Sequence, residues 1–131
     1  MSVIKNFRWT GIVIAVFALA WAQILNGAIE GPSTEGIVNT LLIAIATNNY
    51  DGMVANATPA LKSRITREAF TQVSTQMSGR LKNGYSLQYL GSIRQRGVEV
   101  FLWKVIYKDG GDDMLAWLVI QDGKVAGFWF Q

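Results

Sequence analysis

The hydrophobic pattern of the chain begins with a long apolar run near the amino terminus. Residues Trp9 to Ile29, WTGIVIAVFALAWAQILNGAI, contain no charged side chain. As a helix this run measures roughly 30 Å, which is about the hydrocarbon thickness of a bilayer. Lys5 and Arg8 precede it. Because positive charge stays on the cytoplasmic side, we expect the rest of the chain to face away from the cytoplasm.

The same segment also has the features of a cleavable signal peptide. A basic start and an apolar stretch lead to small residues at Ala18, Ala20 and Ala22, where a peptidase can cut. Apolar character continues past both cut sites, so we favour a retained single-pass anchor over residues 1–29. This places the chain in an inner or cytoplasmic membrane, with its C-terminal domain on the periplasmic or extracellular side. A secreted or periplasmic protein, or a buried helix of a soluble protein, is the alternative.

A helical period follows a turn-rich stretch. Residues 30–35 predict a linker, with Ser33 or Thr34 as the cap of the first helix. Ile37, Leu41 and Ile45 then fall on one stripe, which predicts a buried first helix in a domain over residues 36–131.

Two further helical segments complete this half of the domain. A second, short helix or turn is predicted from about Tyr50 to Pro59, beyond the poor helix formers Asn48 and Asn49. Thr66 is a suitable cap for a third helix over about residues 67–81. We expect its polar residues, Ser74 among them, to face solvent.

After Gly84 the period changes from helical to alternating. Four segments, YSLQYLGSI, VEVFLWKVIY, MLAWLVI and VAGFWF, are typical of strands, and short polar loops join them. Asp122-Gly123 is a strong hairpin signal. The pattern therefore predicts an α+β domain in which three helices pack on a four-stranded antiparallel meander.

This element order resembles the NTF2-like (cystatin-like) superfamily, in which a curved antiparallel sheet wraps a long first helix to form a cone. The resemblance covers about residues 35–131 and depends on the helix order, NNYDGMVANATPALKSRIT and the closing pair DMLAWLVIQDGKVAGFWF. It is similar in particular to small exported domains of that superfamily without assigned function. The extra hairpin that usually precedes the third helix has no room here, so the resemblance does not imply a deep, walled pocket.

Composition excludes several classes of function. The chain has no cysteine and no histidine, which excludes the usual zinc sites, Cys/His nucleophilic pairs and Ser-His-Asp triads. We expect neither a metal nor another cofactor. Of twelve basic residues, Lys5 and Arg8 precede the apolar run, so ten face nine acids in the rest. A nearly neutral domain lacks the electrostatic footprint of a nucleic-acid binder.

The resemblance raises one catalytic hypothesis. Enzymes of the superfamily, such as ketosteroid isomerase-like proteins, use an acid or histidine base with a tyrosine or second acid inside the cone. In this sequence Glu99 alternates onto the same face as Tyr107, and Asp51 follows Tyr50. A small cofactor-free isomerase, dehydratase or hydrolase would use such a pair. The alternative is structural, with Glu99 at a rim and paired to a cross-strand arginine.

Aromatic residues crowd the last three strands. The strand from Val98 to Tyr107 is apolar on both faces, so the face away from the helices needs a cover. A homodimer partner, another protein or a membrane surface would supply it, and helices two and three are the alternative. The candidate ligand or partner face consists of Phe101, Trp103, Tyr107, Trp117 and Trp129.

A smaller set of basic residues is a second candidate site. Lys62, Arg64 and Arg67 lie close together in sequence and would attract anionic lipid headgroups or an acidic partner, if they are more than solvated surface. The sequence as a whole predicts a non-enzymatic binding or accessory module. It would act through the aromatic face or through a small apolar ligand in the cone.

Overall fold

Four helices precede a four-stranded sheet. The computed structural model describes residues 31–131, except for the side chain of Pro32, so the predicted anchor or signal peptide lies outside the described residues. A 3-10 turn at Gly31–Thr34 leads into α1 (Glu35–Ala46), α2 (Tyr50–Val54), α3 (Pro59–Arg64) and α4 (Arg67–Lys82). The strands are β1 (Tyr85–Gln95), β2 (Val98–Tyr107), β3 (Met114–Gln121) and β4 (Lys124–Phe130). No helix within this range is both long enough and apolar enough to cross a bilayer.

The predicted α+β class and antiparallel sheet are confirmed, whereas the count of three helices is wrong. The segment expected to form one short helix forms two, α2 and α3, because each has its own cap. The Asn49 side chain accepts a hydrogen bond from the Gly52 amide, and Thr58 Oγ1 accepts one from the Leu61 amide. Pro59 lies in the first turn of α3, where its missing N–H costs nothing. The same missing N–H would break a helix that ran on from α2.

The third predicted helix corresponds to α4. Thr66 caps it as expected, since its Oγ1 accepts a hydrogen bond from the Ala69 amide at 3.1 Å. The expectation that Ser74 faces solvent is wrong. Its hydroxyl is buried and donates to the Ile45 carbonyl at 2.6 Å, which joins α4 to the end of α1. A hydroxyl with a backbone acceptor is tolerated inside a helix interface.

The strands form a meander in the order β1-β2-β3-β4. Tight turns join the outer pairs, and both central residues of each have positive φ: Arg96 (52°) and Gly97 (80°), then Asp122 (51°) and Gly123 (75°). Such turns match the twist of the flanking strands. Register shifts at Tyr89/Gly91 in β1 and at Val119/Ile120 in β3 are the local irregularities that bend a sheet.

The helices cover one face of the sheet, which we call the inner face. The main core joins Leu42 and Ile45 of α1 and Phe70 of α4 to Val105 of β2 and Phe128 of β4, all fully buried. The inner face is therefore filled by side chains from the helices.

Candidate functional site

The aromatic residues predicted to share one face lie on two. Phe101, Trp103 and Tyr107 are buried in the main core under the helices, while Trp117 and Trp129 lie on the opposite, outer face. The prediction of a single aromatic face is corrected by the register of the strands. Leu102, whose side chain alternates with those of the core residues, pairs with Trp117, so Trp117 faces outward.

The outer face carries its own apolar cluster. The rings of Trp117 and Trp129, which are opposite each other on β3 and β4, stack with centroids 5.4 Å apart and planes at 29°. We call them and their neighbours the outer cluster. Its other members are Val98, Val100, Leu102, Val119 and Ala126. Every member comes from a strand, so no described helix takes part in this cluster.

Two buried polar atoms without a hydrogen-bond partner lie on this face. Trp117 Nε1 is a donor and Gln95 Oε1 an acceptor, and neither has a partner among the described residues. Gln95 pairs with Val98 of the outer cluster, so its side chain is on the outer face. A buried polar group without a partner costs about 1–3 kcal/mol, so these two atoms lower the stability of the outer face.

Polar residues border the outer cluster. Lys104 follows Leu102 on the outer face of β2, and its ammonium forms an ion pair with Asp113 at 2.9 Å. Gln88 of β1 pairs with Lys104 in register. An apolar centre with a polar rim is the usual anatomy of a protein-docking surface.

The carboxylates of the catalytic hypothesis are at the surface. Asp51 is paired with Arg67 at 3.0 Å, and their side chains are 82% and 69% exposed. The Arg67 guanidinium also lies 4.4 Å from the centroid of the Tyr50 ring, whose hydroxyl donates to the Ile65 carbonyl. Asp51 therefore takes part in a surface contact between α2 and α4.

Glu99 and Tyr107 are not brought together. Glu99 is exposed and accepts a hydrogen bond from the Ser92 hydroxyl at 2.7 Å, and its cross-strand neighbour is Arg94. Tyr107 is buried and donates to Met114 Sδ at 3.3 Å. Tyr107 lies eight residue steps along the strand from Glu99, which is about 26 Å. The carboxylate–tyrosine pair on β2 is therefore not assembled.

A cluster that the sequence did not indicate joins α4 to the β2–β3 loop. Arg80 donates two hydrogen bonds to the Asp109 carboxylate, at 2.7 and 3.0 Å, and one to the Asp112 carbonyl. Its guanidinium lies 3.7 Å from the centroid of the Tyr107 ring. Hydrogen bonds from Arg80 and the Gly111 amide lower the pKa of Asp109 from 3.8 to about 2. Burial raises the pKa of Tyr107.

The contacts of this cluster fix a loop, since a bidentate arginine holds both a side chain and a main-chain carbonyl. Arg80 and Asp109 lie 29 residues apart in the chain. In the sequence, only the position of Arg80 in the last turn of α4 indicates such a role.

The three basic candidates lie at a helix junction. Lys62 and Arg64 are in the last turn of α3 and Arg67 begins α4, and all three are exposed. The ion pair with Asp51 offsets part of the charge of Arg67. The structure thus places the three residues at one exposed junction between α3 and α4.

A groove of about 530 Å³ lies between α1 and β1. Its lining is formed by Glu35, Gly36 and Asn39 of α1 with Tyr85, Ser86 and Leu87 of β1. It is open to solvent and mixes polar and apolar groups, unlike the closed apolar cavity that holds a small hydrophobic ligand.

Comparison with known proteins gives a structural likeness only. No family model matches the sequence, and no curated protein does. The crystal structure of an uncharacterized cystatin-fold protein from Novosphingobium aromaticivorans is similar, with a TM-score of 0.39 and 12% sequence identity. The match covers 79% of this chain and 98% of that one.

Proposed function

We propose that this chain is a non-catalytic binding module of the NTF2-like kind, which docks another protein on the outer face of its sheet. Residues 9–29 hold it at a membrane, with the domain on the periplasmic or extracellular side. The observation that carries the proposal is the outer cluster. It presents the stacked Trp117 and Trp129 on a sheet whose other face the helices already cover.

The shape of the outer face favours a protein over a small molecule. Its cluster spreads over β2, β3 and β4 without a described helix to form a wall, whereas small ligands bind in concave sites. Tryptophans at the centre of an apolar patch are frequent hot spots, whose truncation costs about 2 kcal/mol or more of binding free energy.

A charge placed on the outer face tests the proposal. Trp129→Glu puts a carboxylate in the centre of the apolar surface, and we expect it to release the partner. Glu68→Gln is the matched control, because Glu68 is exposed in the first turn of α4 and changes charge on the helical side. Both full-length proteins are produced in native membranes, extracted in mild detergent and compared by native gel mass.

The expected result is a complex larger than the 14.5 kDa chain for the wild type and the control, and its loss for Trp129→Glu. Circular dichroism checks that the variant remains folded. A complex of the same mass in both variants contradicts docking on the outer face. A complex of twice the chain mass identifies the partner as a second copy.

A further inference from the structure

The two edge strands of the sheet, β1 and β4, have different neighbours. At the β4 edge, the segment between α2 and α3 runs alongside the strand. The Thr58 amide donates to the Val125 carbonyl and the Val125 amide to the Asn56 carbonyl, each at 2.8 Å. At the opposite edge, the 11-residue β1 pairs with β2 alone, and no segment within residues 31–131 pairs with its other side. Among residues 31–131, the β4 edge is bridged at Val125 and the β1 edge has no neighbouring strand.

The backbone groups that face the β1 edge can be assigned. The Lys108 amide donates to the Gly84 carbonyl across the start of the hairpin, and these two residues are opposite in register. Hydrogen-bonded and non-hydrogen-bonded pairs alternate along an antiparallel ladder. The amides and carbonyls of Tyr85, Leu87 and Tyr89 therefore point away from β2, toward the β1 edge.

Helix α1 gives this edge a wall. Asn39 accepts a hydrogen bond from the Tyr85 hydroxyl, and Gly31, before the helix, lies against the Tyr89 ring. The helix thus runs opposite to β1, and Glu35 lies near the middle of the edge, close to Leu87. The open groove described above is the space between this wall and the outward-facing backbone.

We propose that the β1 edge and α1 form a binding groove for an extended peptide segment of a partner protein, which adds to the sheet as a fifth strand. Main-chain hydrogen bonds to Tyr85, Leu87 and Tyr89 supply the affinity, and the exposed Glu35 carboxylate selects a basic side chain at the centre of the segment. This site is separate from the outer face, so the peptide-binding proposal does not depend on the proposed function.

The groove also sets the length of the segment. The outward-facing residues span about 13 Å, the length of about five extended residues. The ladder ends at Leu90, the unpaired residue of the β1 irregularity, where the chain has φ of 129° at Gly91 and the strand bends. Leu90 is 50% exposed at that point and offers an apolar contact for the end of the segment.

Peptide titration of the ¹⁵N-labelled full-length chain in detergent micelles tests the groove. The probe is the blocked pentapeptide Val-Thr-Lys-Thr-Val, and Val-Thr-Glu-Thr-Val is its charge-reversed counterpart. Gly36 lines the groove and a Cβ added there has no heavy atom within 4 Å, so Gly36→Leu is designed to obstruct the groove without a clash. Gly36→Ala is the matched control that leaves the groove open, and Glu35→Gln removes the charge.

The Lys peptide is expected to shift the amide resonances of Tyr85, Leu87 and Tyr89 and to slow their hydrogen exchange. Gly36→Ala keeps this response, Gly36→Leu weakens it at least about tenfold, and Glu35→Gln weakens it about two- to fivefold, as expected for one exposed ion pair. The Glu peptide binds more weakly than the Lys peptide.

Three results would overturn the proposal. The first is no response of these amides at millimolar peptide, and the second is equal binding to the Gly36→Leu and Gly36→Ala variants. The third is a shift of the β1 amides with protein concentration alone, which would mean that a second copy of the chain occupies the edge.

Discussion

Thr34 provides the sharpest test of how the domain begins, because its hydroxyl connects the entering chain to the sheet. Its Oγ1 donates to the Gly31 carbonyl at 2.6 Å and accepts from the Trp103 indole Nε1 at 2.8 Å. Thr34 is fully buried and Trp103 is 2% exposed. Thr34→Val keeps the shape of the side chain and removes both hydrogen bonds.

The expected cost follows from the two groups left without partners. A buried donor or acceptor that loses its partner costs about 1–3 kcal/mol, so the indole and the carbonyl together cost about 2–6 kcal/mol. Thr34→Ser is the control, since it keeps the hydroxyl and loses one methyl group, worth about 1 kcal/mol. With Trp103→Phe as background, Thr34→Val leaves no indole unpaired and should cost at least about 1 kcal/mol less.

Urea unfolding of the full-length chain in mild detergent, followed by far-ultraviolet circular dichroism, measures these differences. With an m-value of about 1.5 kcal/mol/M, a loss of 3 kcal/mol lowers the midpoint by about 2 M. Equal midpoints for the Val and Ser variants would refute the role of the hydroxyl. An unchanged cost of Thr34→Val in the Trp103→Phe background would refute its coupling to the indole.

The remaining predictions concern one carboxylate and two glycines. Because the folded pKa of Asp109 is about 2, below its ordinary 3.8, its contribution to stability is present above about pH 4 and disappears as the pH falls toward about 2. Melting temperatures of the wild type and Asp109→Asn should converge over that window, and parallel curves would contradict the pair with Arg80. Gly31→Ala places a methyl group where the Tyr89 ring lies and should lower the melting temperature. The methyl group of Gly36→Ala has no heavy atom within 4 Å, so this variant should raise the free energy of unfolding by up to about 1 kcal/mol. Equal shifts for the two alanine variants would be inconsistent with the structure.

The strands and the last helix could be predicted from the sequence because their signals are local. Alternation locates β1 to β4, and the turn at Asp122-Gly123 uses the positive φ values that such a pair favours. Thr66 caps α4 by accepting a hydrogen bond from the amide of Ala69, three residues later, which is also a local relation. The division between α2 and α3 depends on Thr58 and Pro59, and the composition of that segment indicated only a helix or a turn.

The two faces of the sheet could not be assigned from composition. Alternation within one strand separates Trp103 from Leu102, but the face of Trp117 depends on the register between β2 and β3. The loop between those strands holds several residues and does not fix the parity of the register. The contact of Arg80 with Asp109 is equally non-local, because it forms only when α4 packs beside the hairpin.

The placement of the acids follows the same reasoning. Alternation correctly put Glu99 on the face of Tyr107, yet the hairpin carries Glu99 to the exposed end of β2, far from Tyr107. Sharing a face is therefore a weak predictor of sharing a site, because a strand of ten residues is about 33 Å long.

Site-specific photocrosslinking in producing cells tests docking on the outer face most directly. Benzoylphenylalanine replaces Trp129 on the outer face or, as the comparison, Glu68 on the helical side of the full-length protein. The proposal predicts a discrete crosslinked protein product from position 129 and none from position 68. No product from position 129, or the same products from both positions, would contradict the assignment of the outer face as the docking surface.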